Sequence, residues 1–369
     1  LIVNVGYALL GRDLDLVEGV HIEVVDGTIS HIGRGYVSGA SMDLRRGIAM
    51  PSLTNAHLHV LDYAFPEYES GLTLEEAVSE PHGLKHRLLS SLSLDDMARA
   101  CREVFAKLLR SGTTAALVFS ELPSAHRIIR EEAAGHGVEA VVLGRPRGEV
   151  GVEGALRDAH GLGLDSPLRF DEGELAKMRE LCRAEGKVIA THVAEDEGDY
   201  ERGDFELALN FLDADVFVHG THLKEADMEA LAERGKAVVV CPRSNMRLRV
   251  GLPPLAELLE LGVNVLLGTD NAGIVEPDLW REMEAAHDIL RLSGSSVSAK
   301  EVLKMATVNA EGVEALKVSS AIEEGGKANF IILDAYELGV PRSRDVYASL
   351  VKRGSPTSVL KVIRGEVYE

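Results

Sequence analysis

The sequence predicts an α/β fold: a (β/α)8 TIM barrel carrying a small β-sandwich domain built discontinuously from both termini. Three observations predict it. Short apolar runs alternate with amphipathic helical stretches through the middle of the chain, eight such runs can be counted, and both ends read as Val/Ile-rich strands with tight turns. With 369 residues, 46% apolar and 27% charged, the chain can bury a large core and is long enough for a barrel with an appendage.

The elements follow in order. VHIEVVDGTISHIG alternates apolar and polar residues on both sides of Asp26-Gly27, which signals a hairpin. The eight strand candidates are IAMPSLTNAHLHV, TTAALVFS, VEAVVLGRP, HGLGLDSP, KVIATHVAE, DVFVHGTHL, KAVVVCPRS and VNVLLGTDN. Helical segments such as Glu174–Glu185, Glu225–Arg234 and Leu255–Leu261 separate them. Strands that are apolar throughout imply a parallel sheet covered on both faces, and eight is the number a closed barrel needs. A doubly wound open sheet is the alternative, but no GxGxxG, GxxxxGK[ST] or GxSxG stands at a strand-to-helix junction. ANFIILDAY and SVLKVIRGEVYE then return to the strand pattern around a Gly turn. Residues 1–48 with 318–369 are expected to form the sandwich, and 49–317 the barrel.

Composition narrows the function. Acidic residues number 59 against 39 basic, a formal net charge of −20, which repels nucleic acid and anionic membrane. No apolar run reaches spanning length, and LIVNVGYALLGRDLDL lacks the basic start and cleavage site of a signal peptide. Cys101, Cys182 and Cys241 lie far apart, which excludes a disulfide framework or a CxxC metal site and suits a reducing cytoplasm. A cytoplasmic protein acting on a small molecule is expected, and a homo-oligomer is compatible with the sequence.

Barrel enzymes place their chemistry at the C-terminal ends of strands, so polar residues ending apolar runs are informative. Strand one ends in His57-Leu58-His59, and residues i and i+2 of a strand point the same way, here toward the barrel axis. Strand five ends in His192 and continues to Glu195, strand six in His219-Gly-Thr-His222, and strand eight in Gly268-Thr269-Asp270-Asn271. Each alone has an ordinary reading: a structural histidine pair, a satisfied barrel histidine, a helix-capping Asp270. Converging on one mouth, they read as a metal site, and imidazoles with a carboxylate suit Zn²⁺ or Fe²⁺ better than Mg²⁺ or Ca²⁺.

PSLTNAHLHV, THVAED, VHGTHL, CPRSNMRL and LLGTDNAG, in that order, resemble the amidohydrolase superfamily in its metal-dependent deaminase and chlorohydrolase branch. DGTISHIG and GKANFIILDA resemble that family's β-sandwich segments, so the likeness covers essentially the whole chain. It implies that His57, His59, His192 and Asp270 hold one divalent metal. It makes His219 a hydrogen-bonding partner of the attacking water or the substrate, and Glu195 the proton-shuttling glutamate. Asp270 would accept the water's proton, and Glu195 would protonate the ring nitrogen and then the leaving ammonia. Two-metal relatives use a lysine from strand four; neither HGLGLDSP nor VEAVVLGRP contains one, so one metal is expected.

The substrate contacts are softer. Lys85 and His86 lie in the excursion Pro81–Arg87 after strand one, and Arg145 and Arg147 follow strand three. Such arginines either clasp an anionic group bidentately or form surface salt bridges. His222, Asn245, Glu67, Glu121 and Arg243 also follow strands, and Tyr63, Phe65 and Tyr68 offer either a stacking wall or loop packing. His126, His136, His160 and His287 read as structural. The leading expectation is hydrolytic deamination of an N-heterocycle, a substrate class that includes nucleobases and nucleosides. Hydrolysis of a cyclic amide, as in imidazolonepropionase-like relatives, is the alternative, and a non-catalytic metal scaffold is the alternative outside catalysis.

Overall fold

The computed structural model describes residues 1–79, 82–147 and 151–368. The N-terminal strands are β1 (Ile2–Leu10), β2 (Asp15–Val25), β3 (Thr28–Arg34) and β4 (Met42–Pro51). The central series is β5 (Leu53–His59), β6 (Thr113–Ser120), β7 (Glu139–Gly144), β8 (Gly161–Leu164), β9 (Val188–Val193), β10 (Val216–His219), β11 (Ala237–Val240), β12 (Asn264–Leu267) and β13 (Asp270–Asn271). The chain ends with β14 (Asn329–Asp334), β15 (Val359–Arg364) and β16 (Glu366–Tyr368).

The central strands form one curled parallel sheet of nine members, in the order β12-β11-β10-β9-β8-β7-β6-β5-β13, as a TIM-like fold requires. Only Gly268 and Thr269 separate β12 from β13; β12 pairs with β11, and β13 pairs with β5. Every residue of β5 and β6 is buried, because side chains alternate between two apolar environments. Ala115, Leu117 and Phe119 pack with Val216, Val218, Val239 and Leu266 on the concave side. Ala116 and Val118 face outward onto Val104, Phe105 and Leu108 of the helix Leu94–Arg110. The segments expected to be helical are so: Glu172–Glu185, Glu225–Glu233 and Leu255–Glu260. The first starts on a reciprocal Asp171/Glu174 capping box and stops at Gly186, whose φ is 61°.

The terminal strands gather in a separate sheet, ordered β16-β15-β14-β4-β1-β2-β3. The Asp26-Gly27 hairpin is present, with φ of 48° and 74° matching the two left-handed positions of a type I′ turn. Hydrogen bonding joins all seven strands in one sheet rather than dividing them into two, because β14 returns antiparallel onto β4 and links both ends of the chain.

Candidate active site

Register explains why distant residues meet. β13 pairs in parallel with β5, setting Asp270 opposite Leu58 and Asn271 opposite His59. The Asp270 Oδ1 atom therefore lies 3.1 Å from His57 Nε2 and 3.6 Å from His59 Nε2. β9 adds His192, whose ring centroid is 4.8 Å from that of His57, and β10 adds His219, 5.3 Å from His192. Phe119 closes the floor, its ring edge-on to His57 with centroids 4.3 Å apart.

Local chemistry holds this junction. The Asn55 amide donates to Thr269 Oγ1, and its oxygen accepts from the Thr269 N–H, which staples β5 to the bend before Asp270. Gly268 must be glycine, since a Cβ there would sit 2.6 Å from His57 Cβ. Ala194, His219 and Asp270 have φ of 48°, 73° and 63°, left-handed conformations that cost non-glycine residues about 1–3 kcal/mol each. All three stand at strand ends, and the turn of the backbone there brings His219 and Asp270 to the common mouth.

Hydrogen bonds fix the orientations. His192 Nδ1–H donates to the Leu164 carbonyl at 2.8 Å, leaving Nε2 with its lone pair. The Ser244 hydroxyl donates to Asp270 Oδ2. His219 Nδ1–H donates to Asn245 Oδ1 at 3.0 Å, while Asn245 Nδ2 donates to Thr221. Burial drives the His57 pKa down to about 3 against the pull of Asp270. Burial, with repulsion from His57 and His219, also holds His192 well below the imidazole range. For Asp270, burial opposes ionisation, but the His57 hydrogen bond and charge outweigh it and keep the carboxylate well below its usual range.

The outcome is three imidazole nitrogens and one carboxylate oxygen, with ligand atoms within 4.8 Å of one another. That donor set fits one divalent cation. Glu195 stands at the rim with its Oε2 3.7 Å from His219 Nε2. Burial pushes its pKa up to about 7; His219 draws it back, and Asp270 adds to the rise.

A cavity of about 1200 Å³ opens over these groups, lined by His59, His192, Glu195, His219 and Asp270 among others. Lys85, Arg145 and His222 also line it, whereas His86, Arg147 and Asn245 do not. His86 is buried with Nε2–H donating to the Val78 carbonyl, and Pro81, in the same excursion, lies outside the described residues. His222 Nε2–H donates to the Val250 carbonyl.

Lys85 and Arg145 are buried rather than on the surface. The Lys85 ammonium sits 3.1 Å from Asp62 Oδ2 and 2.8 Å from Glu121 Oε1, and Arg145 sits 3.0 Å from Asp165 Oδ1. Glu121 Oε1 also lies 2.8 Å from His59 Nδ1, a contact short but off the line of a regular hydrogen bond. Asp62 and Asp165 escape sequence reading. Asp62 follows His59 by three residues, and Asp165 ends a strand searched only for lysine.

The aromatic residues after His59 do not wall the cavity. Tyr68 accepts from the Asn271 amide, and Tyr63 lines a second groove of about 910 Å³ with Glu67, Arg243 and Arg247. His126 and His136 donate to backbone carbonyls and His160 accepts from Val142, as structural histidines do.

A sequence model of the Amidohydrolase family matches residues 48–366. The chain belongs to the amidohydrolase family. A 5'-deoxyadenosine deaminase of Methanosarcina mazei is 29% identical, the match covering 93% of this chain and 86% of that one. A 5-methylthioadenosine/S-adenosylhomocysteine deaminase of Pelotomaculum thermopropionicum is 27% identical, over 91% and 84%. In fold, the chain superposes on a zinc-bound adenosine deaminase from Xanthomonas campestris with a TM-score of 0.86, at 20% identity, covering 99% and 92%. The likeness read from the ordered histidine and aspartate motifs is thus that of the family, and the TIM-like architecture is that of the superposed fold. Among the described residues, no helix is long and apolar enough to cross a membrane.

Proposed function

We propose that the chain is a metal-dependent aminohydrolase that replaces the exocyclic amino group of an N-heterocycle by oxygen and releases ammonia. The observation that carries this reading is Glu195, a carboxyl held near pKa 7 beside His219 and facing the three-histidine, one-aspartate cluster. A group with that pKa can both give and take a proton at neutral pH. The names of the two relatives support an adenine-like ring as substrate.

His57, His59, His192 and Asp270 are the residues that would hold the ion, with Zn²⁺ favoured over Fe²⁺ by the zinc in the superposed deaminase. When bound, such an ion supplies Lewis-acid chemistry and lowers the pKa of water toward about 7. Asp270 takes the proton of the attacking water through the oxygen facing the histidines, while Ser244 steadies the other oxygen. His219, its Nδ1–H donating to Asn245, turns the lone pair of Nε2 toward the attacking water as an acceptor. Glu195 protonates the ring nitrogen, then the departing amine. Lys85, Arg145 and His222 border the ring's substituents.

The same reading includes closure of the central sheet as an eight-stranded barrel through the β12–β13 segment, supported by its pairing with both β11 and β5. It divides the chain into 1–48 with 318–369 and 49–317. Three free, buried cysteines support work in a reducing cytoplasm.

The test is mass spectrometry of a heterocycle and nucleoside pool incubated with zinc-loaded protein, with Glu195→Ala in parallel. A gain of about one mass unit with ammonia release, absent in the variant, is expected. A Glu195-dependent gain of about eighteen units means ring-amide hydrolysis and overturns the deaminase reading.

A further inference from the structure

Four charged side chains, Asp62, Lys85, Glu121 and Arg145, lie buried beside the cluster, and one contact among them points at the ion's own ligands. Glu121 ends β6 with its side chain 1% exposed, and Oε1 lies 2.8 Å from His59 Nδ1. The Nε2 of the same ring faces Asp270 Oδ1 at 3.6 Å. A proton on Nδ1, drawn toward Glu121, leaves the lone pair on Nε2, the side where the other three donors converge. Histidines that ligate metals regularly pass their second N–H to a carboxylate or carbonyl, which fixes tautomer and ring orientation. His192 does so with the Leu164 carbonyl. At the corresponding nitrogen of His59 stands Glu121, 2.8 Å away.

Glu121 is itself held. Lys85 Nζ lies 2.8 Å from the same Oε1 and 3.1 Å from Asp62 Oδ2, and Arg145 stands 3.6 Å away. A buried cluster of this kind adds little to stability compared with apolar residues of similar volume. Its position next to a ligand histidine is the better account of it.

We propose that Glu121 is a positioning residue that fixes the tautomer and direction of His59 for metal binding. The inference rests on the metal reading above, so the experiment separates the two. Two charge-balanced pairs are compared in the full chain. Glu121→Gln with Lys85→Met removes the carboxylate and its cation; Lys85→Met with Asp62→Asn removes an equal pair of charges and leaves Glu121 in place.

Zinc release to a chromogenic chelator and thermal melting are measured on both and on the parent. The Glu121→Gln pair should release zinc about 10–100-fold faster or bind it that much more weakly. The Asp62→Asn pair should stay within about threefold of the parent, with the two melting alike. Equal zinc release by both pairs overturns the positioning role, because a merely structural contact moves both together. A parent chain that takes up no zinc overturns the metal reading first, and this one with it. Should the Glu121→Gln pair not fold, nitrogen-15 spectra of histidine-labelled, zinc-loaded parent decide. A protonated Nδ1 on His59 is expected, and a protonated Nε2 sinks the proposal.

Discussion

Two cavities flank the segment 243–248, and they differ in one physical respect. The groove of about 910 Å³ and the cavity of about 1200 Å³ are both rich in charge. In the groove the pairs are solvated: Arg247 and Glu67 are 45% and 67% exposed, and Lys107 meets Glu276 at the surface. At the base of the cavity Lys85, Arg145 and Asp270 are withdrawn from water, while Glu197 and Arg202 at its mouth are exposed. Size and charge count therefore do not mark a site; desolvated groups with shifted protonation do. Residue 243 lines the groove, while residues 244 and 245 hold Asp270 and His219, so one turn of chain serves both sides.

Removing the shared carboxylate should break the contrast most completely. Asp270→Ala is expected to abolish zinc retention and lower turnover about 10⁴-fold, the upper end of what proton transfer alone supplies. Steady-state kinetics with metal analysis checks it, and near-normal turnover would sink the assignment.

Next comes the seam between the cavities. Glu282 is fully buried, and its carboxylate accepts from both the Arg243 backbone and guanidinium. Glu282→Ala removes these bonds but leaves Arg243 its contacts with the Glu276 and Asp278 carbonyls, and should cost about 1–3 kcal/mol in denaturant unfolding. A loss under about 1 kcal/mol would show the pair to be dispensable, like a surface one.

Glu195→Gln sharpens the cavity side by changing protonation with little change of shape. A fall in kcat of about 10²–10³-fold is expected. The pH dependence has a definite sign. A general acid acts only with its proton on, and burial sets the Glu195 pKa at about 7. The parent's kcat should therefore decline through pH 7 as pH rises, about tenfold per unit beyond it. The variant should lack that limb; a limb that survives assigns the proton to another group.

The smallest effect belongs to the groove. Arg247→Ala deletes a solvated pair and should shift stability by at most about 1 kcal/mol with kcat unchanged. A larger loss would mean that the groove's charges matter more than their exposure implies.

Legibility in the sequence followed the same divide. The central strands could be read because burial on both faces makes each run continuously apolar, and His57, His59, His192, His219 and Asp270 stood out as polar ends of such runs. The ion cluster was hidden for the converse reason. Lys85 lies in the short helix Leu84–Ser90 and Asp62 in the single 3-10 turn Val60–Ala64, both too short for periodicity to predict burial, and their partners come from other elements. That the two ends meet is legible in their strand patterns, but their joining as one sheet through the β4–β14 pairing leaves no local signal.

The bend at Gly268-Thr269 also sets a timetable. His57 and Asp270 are separated by 213 positions, so a chain emerging from the ribosome exposes His57 and His59 long before the aspartate. Only when that bend docks on Asn55 is the donor set complete. Metal capture is thereby tied to a finished fold, and a half-made chain has no means of holding its ion tightly.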